Sequence, residues 1–162
     1  MNAQLKLWLP IILGLWLDQV LHDVAAGIGP DPATAASSLS DGNLMFEFLL
    51  GGVKINPDNN VFLLDEELAS MRKGREFLSQ INDGIPKHRS SMELMVQRLE
   101  ARQKTPLTQD QFKNLVLSMV YTALQAGVQR SKEEQEAWGG VLLQLANVTA
   151  YELRGGFLFN YT

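Results

Sequence analysis

The chain has 162 residues, no cysteine and a formal net charge of −4 at pH 7. The lack of cysteine excludes a disulfide framework, a zinc–thiolate site and a cysteine nucleophile together. The mild acidity, with no clustered Lys and Arg, excludes nucleic acid and an anionic membrane surface as partners.

The amino terminus has the layout of a secretory signal peptide. Lys6 precedes the apolar run "LWLPIILGLWL", Leu7 to Leu17, and small residues follow in "VAAG", Val24 to Gly27. The run falls within the usual apolar core of about 7 to 15 residues and short of the roughly 20 needed to cross a bilayer. Pro10 within it and Asp18 just after it disfavour both a buried helix and a stable membrane anchor. Residues 1–26 are therefore expected to be removed after Ala26, and the mature protein to be secreted. Loss of Lys6, Asp18 and Asp23 moves the formal charge from −4 to −3. The remaining roughly 136 residues fit one domain able to bury about two thirds of its unfolded surface.

Residues 27–39 are polar and small enough to be a flexible mature amino terminus, and a single helical domain is expected over 40–156. Its first helix is capped by Ser40 and runs through "LMFEFLLGGV", whose nearly unbroken apolar side chains from Leu44 to Leu50 predict burial all round. Asn56, Pro57, Asp58 and Asn59 make a turn, and Val61 to Leu63 can form a short extended segment. The next helix places Leu64, Leu68, Met71, Leu78 and Ile81 at helical spacing and stops at "NDG", Asn82 to Gly84. Three further helices open with Ser or Thr followed three residues later by Glu or Gln: Ser90 with Glu93, Thr108 with Gln111, Ser131 with Glu134. In such a capping box the hydroxyl accepts from a free N–H of the first turn, and the longer side chain reaches back to the cap's own N–H. Behind these starts lie the stripes Met92, Met95, Val96, Leu99 and Phe112, Leu115, Val116, Met119, Ala123. The last helix aligns Trp138, Val141, Leu142, Leu145, Thr149 and Leu153, with Gly155 and Gly156 as its stop and 157–162 as a tail. The expected fold is all-α, a compact bundle of about five helices.

The segment with most apparent chemistry is "PDNNVFLLDEEL", Pro57 to Leu68. A calcium loop starting at Asp58 needs oxygen ligands at its first, third and fifth positions, Gly at the sixth and Glu at the twelfth. Those positions hold Asp58, Asn60, Phe62, Leu63 and Ala69, so three of the five fail. Asp65, Glu66 and Glu67 instead stand where a helix begins, and its free N–H groups and dipole favour negative charge there. No metal or cofactor is implied.

Catalytic constellations are also missing. The mature chain has one histidine, His88, in the exposed-looking loop "IPKHRSS". The Gly pairs at Gly51, Gly139 and Gly155 lack the rest of a phosphate-binding fingerprint, and no Gly-x-Ser-x-Gly elbow occurs. Arg72-Lys73-Gly74-Arg75 has the arginine spacing that basic-site convertases accept, but it lies in a predicted helix. Two glycosylation sequons remain, Asn147-Val148-Thr149 and Asn160-Tyr161-Thr162. Helical geometry puts Asn147 opposite Leu142 and Leu145, so a glycan there would point to water.

"FEFLLGGV" from Phe46, "INPDN" from Ile55 and "DEELASMRKGREF" from Asp65 resemble the vertebrate family with sequence similarity 180. These motifs cover about a quarter of the chain. The resemblance implies a small secreted protein of unassigned molecular function and supplies no catalytic or binding residues. Together the observations point to an extracellular helical ligand or modulator with a protein partner rather than an enzyme. The alternative is a small lipophile carrier whose helices, rich in Met, Phe and Leu, enclose an apolar cavity.

Overall fold

The computed structural model describes residues 43–102 and 105–159, with side chains described up to Glu152. A helix over 43–51, α1, leads into strands β1 (Val53–Ile55) and β2 (Val61–Leu63). Helices α2 (Glu66–Ser70), α3 (Arg72–Asp83), α4 (Arg89–Ala101), α5 (Gln109–Val128) and α6 (Lys132–Phe159) follow. The fold is all-α with one small antiparallel hairpin, whose register pairs Val53 with Leu63, Lys54 with Phe62 and Ile55 with Val61.

Helix α5 is the centre. Residues Leu115 to Ala123, Gln125 and Ala126 are all buried, so the helix is enclosed on every face. α6 packs along it, α4 packs against α6, and α3 and β1 lie against α5 and close the other side. The stripes anticipated on α4 and α6 face this core, with Met92, Val96, Leu145 and Val141 among the most buried side chains. Each such aliphatic side chain contributes about 1.5–3 kcal/mol on full burial.

Full enclosure was expected of the first helix, and the structure corrects that. On α1 only Phe48 is buried, stacked on Phe77 of α3 at 4.8 Å, while Leu50 is 70% exposed. Apolar composition alone does not say which helix is central; α5 has twenty residues and partners on several sides, whereas α1 buries one side chain fully and Leu44, Met45 and Leu49 only in part. α1 also stops earlier than expected. Gly52 takes φ +90°, a conformation open to glycine, and Val53 begins a strand where helix was predicted. The extended segment at Val61–Leu63 is present, as β2.

The helix anticipated from Leu64 to Ile81 is two helices. Met71 is extended, with ψ 149°, and separates α2 from α3. Gly74 explains the break: a Cβ built there would lie 1.8 Å from the Leu68 carbonyl oxygen, so only glycine lets α2 fold back on the first turn of α3. The stop at Gly84 holds, its N–H donating to the Gln80 carbonyl at 2.9 Å.

Of the three capping boxes, Thr108 and Gln111 form both hydrogen bonds. α4 starts earlier than expected, at Arg89 after His88, so Ser90 lies inside the helix and Glu93 pairs with Arg89 at 3.6 Å. Glu134 likewise accepts from Arg89 at 2.9 Å, tying α6 to α4. Hence an acid that the motif assigns to its own helix is drawn to a cation. α6 continues through Gly155 and Gly156 to Phe159; glycine costs roughly 1 kcal/mol in a helix interior relative to alanine and does not by itself end one.

Two glycine substitutions separate close approach from mere propensity. Gly74→Ala should destabilise the protein by more than about 2 kcal/mol, because backbone cannot yield as a side chain can. Gly140, whose Cβ would meet nothing within 4 Å, should become more stable as alanine by about 1 kcal/mol. Urea denaturation of both variants measures the difference, and equal effects would remove the steric account of the α2–α3 break.

Candidate functional site

The stretch Pro57 to Leu68 divides at β2 into two unlike parts. Its first part is the hairpin loop. The Asn59 N–H donates to the Asn56 carbonyl at 3.0 Å, and the Asn56 side-chain oxygen accepts from Asp58 at 3.0 Å and Asn60 at 2.9 Å. Asn59 closes the loop at φ +61°, which asparagine tolerates better than other non-glycine residues. Asp58 is thus part of a turn.

The second part starts α2. Asp65 is its N-cap, with Oδ1 accepting from the N–H groups of Glu67 at 2.9 Å and Leu68 at 3.0 Å. Glu66 and Glu67 occupy the first turn, exposed to water. Among the described residues no group of three His, Cys, Asp or Glu side chains is placed to hold a metal ion. The basic tetrapeptide lies in the first turn of α3: Arg72 donates to Glu76 at 3.0 Å, Arg75 donates to the Ser70 carbonyl at 2.7 Å, and Gly74 is buried. The Arg72 hydrogen bond holds the Glu76 carboxyl below its ordinary pKa, with Lys73 adding to the effect. His88 precedes α4, exposed, and makes no side-chain cap.

The loop's other side faces the core, in a network that the sequence reading missed. The Tyr121 hydroxyl of α5 donates toward the carbonyls of Asn59 and Lys87, each 3.2 Å away, and accepts from Gln125 Nε2 at 2.9 Å. Gln125 Nε2 also reaches the Asn59 side-chain oxygen at 3.0 Å, and Gln129 donates to Gln125 at 3.0 Å. Lys87 donates to the Asn60 side chain. Asn82 of α3 brackets Val61, accepting from its N–H at 2.7 Å and donating to its carbonyl at 2.9 Å. A signal existed in the sequence, since Tyr121 and Gln125 stand four residues apart within the largely apolar stretch Leu115–Ala126.

Burial raises the Tyr121 phenol above its ordinary pKa, and the Gln125 hydrogen bond opposes this in part. No acid or imidazole belongs to the network, so its chemistry is to hold the hairpin against α5. What the hairpin presents outward is apolar. Phe62 lies on the face of β2 opposite the buried Val61 and Leu63, and the exposed Leu64, just beyond the strand, lays its side chain over Gly52. Phe46 and Leu50, one turn apart on α1, are 43% and 70% exposed. Asn147 is exposed on α6; Asn160 lies outside the described residues.

The sequence model described as the FAM180 family matches residues 23–153, most of the chain. The chain belongs to the FAM180 family. Human "Protein FAM180B" is 29% identical to it over 115 residues, which cover 70% of this chain and 63% of that relative. The chain therefore spans under two thirds of this relative's length. No solved structure matches. The family match includes α1, the hairpin and the Tyr121 network, and neither description names an activity.

Two measurements test these assignments. Asp65→Asn should leave this FAM180 protein almost unchanged, because Asn caps about as well as Asp, whereas changing Asp65, Glu66 and Glu67 together to Ala should cost about 1–2 kcal/mol. Added calcium should shift the melting temperature of neither; a calcium-dependent gain in the wild type, lost in Asp65→Asn, would restore the metal reading. For Tyr121, a folded pKa raised above the unfolded value means that the folded protein retains its proton longer. Its contribution is present below about pH 10 and is lost as pH rises through the folded pKa. Tyr121→Phe should lose about 1–3 kcal/mol at neutral pH and show a shallower fall in stability above pH 10 than the wild type. Parallel curves would show that Tyr121 ionisation is not linked to unfolding.

Proposed function

We propose that this FAM180 protein is secreted and works as an extracellular ligand or modulator, through contacts of its surface with another protein rather than through catalysis. The carrying observation is that four large apolar side chains on consecutive elements are exposed, Phe46 and Leu50 one turn apart on α1 and Phe62 and Leu64 at the hairpin, with Leu64 against Gly52 at the end of α1. Large apolar side chains grouped on one surface are the usual mark of an interaction site. A fixed hairpin suits that role, because a surface already held in shape loses little freedom on binding.

Three further features support the reading. The layout of Lys6, the run from Leu7 to Leu17 and the small residues before Gly27 favours entry to the secretory route. Among the described residues no helix is long and apolar enough to cross a membrane. The same residues bring no nucleophile, base and orienting group together, and the buried tyrosine is fully engaged with the backbone and Gln125.

Expressed in mammalian cells, the protein should appear in the medium with its amino terminus near Gly27; cell-retained protein with residues 1–26 intact would count against secretion. Proximity labelling with the tagged secreted protein should enrich a reproducible cell-surface or extracellular protein. The pair Leu50→Glu and Leu64→Glu should remove that enrichment while leaving the melting temperature within a few degrees, since both side chains are half exposed or more. An unchanged labelling pattern in the double variant would exclude this surface.

A further inference from the structure

The sequon on α6 has an asymmetry that its sequence does not show. Asn147 points to solvent, whereas Thr149 is 5% exposed. The Thr149 hydroxyl donates to the Leu145 carbonyl at 2.9 Å and lies 3.2 Å from Met119 Sδ of α5. Two residues in a helix are turned by about 200°, so the amide and the hydroxyl stand on nearly opposite faces. An oligosaccharyltransferase must engage the asparagine amide and the hydroxyl two residues on together, which this helix cannot offer once packed on α5. Along the solvent face, one turn before and one turn after Asn147, stand Leu143 and Tyr151, 51% and 48% exposed.

We propose that Asn147 receives an N-linked glycan only while α6 is unpacked, that folding then seals the sequon, and that the attached sugar covers the apolar strip formed by Leu143 and Tyr151. The inference rests on the secretory reading for its setting in the cell, but its geometry does not depend on it. Chemically, the Asn147 side-chain nitrogen attacks the anomeric carbon of a dolichyl-diphosphate-linked oligosaccharide. The new N–C bond replaces the C–O bond to the diphosphate, dolichyl diphosphate leaves, and the amide gives up one proton to the enzyme's base. No oxidant or reductant is required.

Timing follows from burial. To be modified after folding, α6 would have to unwind and Thr149 leave Met119, and the rate would scale with the small population of that open form. On a chain still being translocated the same residues are extended and free. The sugar then stays on the outer face, where Asn147 lies, with the buried residues Val148 and Thr149 turned inward. Its hydrated mass stands over Leu143 and Tyr151, each about half exposed.

The test uses the full chain made in bacteria, without glycan, in an Asn160→Gln background so that one sequon remains. One preparation is otherwise wild type and folded; a second carries Met92→Asp, which places a charge at a fully buried position of α4 and unfolds the chain, as circular dichroism verifies. Each is incubated with a purified eukaryotic oligosaccharyltransferase and a dolichyl-diphosphate-linked oligosaccharide. The unfolded chain should gain one glycan at least about tenfold faster than the folded one, and Asn147→Gln should abolish the gain. Equal rates would overturn the sealing of the site, and no modification of either would overturn the site itself.

Cells supply the second arm. The secreted wild type should lose mass on treatment with peptide N-glycosidase, a loss absent from Asn147→Gln in the same background; a secreted protein without glycan overturns the inference and leaves secretion standing. For the cover, the enzyme-deglycosylated protein should self-associate at concentrations where the glycosylated form is monomeric, and Leu143→Gln with Tyr151→Gln should reverse this. Identical behaviour of the two forms would remove the covering role.

Discussion

The Tyr121 hydroxyl is the point on which the rest of the structure hangs. Because α5 is enclosed on every face between Leu115 and Ala126, each polar group in that stretch must be satisfied inside the protein, where an unpaired one costs about 1–3 kcal/mol. Ser118 and Thr149 solve this locally by donating to carbonyls four residues back in their own helices. Tyr121 and Gln125 are too long for that and reach instead to Asn59 and Lys87, in two separate loops. The demand of one helix for hydrogen-bond partners thereby fixes where the hairpin and the α3–α4 connection must lie. Thr122 is the exception, its buried hydroxyl having no hydrogen-bond partner, and nothing in the structure accounts for it.

Holding the hairpin at its loop has consequences at its other end. Asn82 engages the outward N–H and carbonyl of Val61, groups that would otherwise leave an open strand edge. With β2 held between Asn82 and β1, its alternation sends Val61 and Leu63 inward and leaves Phe62 and Leu64 outside. α1 is secured by the Phe48–Phe77 stack and by the half-buried Leu44, Met45 and Leu49, while Phe46 and Leu50 stay at the surface. The exposed apolar group is thus a product of how the polar interior is satisfied. That is the physical link between the core and the interaction surface proposed for this FAM180 protein.

Glycines set the remaining geometry at two places. Gly52 adopts a positive φ and turns the chain from α1 into β1, and Gly74 admits the Leu68 carbonyl where any side chain would collide. Both lie in motifs that resemble the family, "FEFLLGGV" and "DEELASMRKGREF". Those motifs hold no reactive groups, and their residues make the bend between α1 and the hairpin and the break between α2 and α3.

The sequence by itself determined the helical class, the central stripes of α4, α5 and α6, the Thr108–Gln111 cap, the turn at Asn56 and the role of Asp65 at a helix start. All of these depend on residues within about a turn of one another, where spacing and side-chain chemistry act directly. Only the tertiary structure decided which helix is central, that the Leu64–Ile81 segment breaks at Met71, that Glu93 and Glu134 pair with Arg89 rather than with their own caps, and that Tyr121 anchors a loop sixty-two residues away in the chain. Apart from the Arg89–Glu93 pair and the approach of Leu68 to Gly74, which are four and six residues apart, each of these is a competition between partners distant in sequence. Its outcome depends on which groups packing brings within hydrogen-bonding or contact distance, and local pattern carries no measure of that.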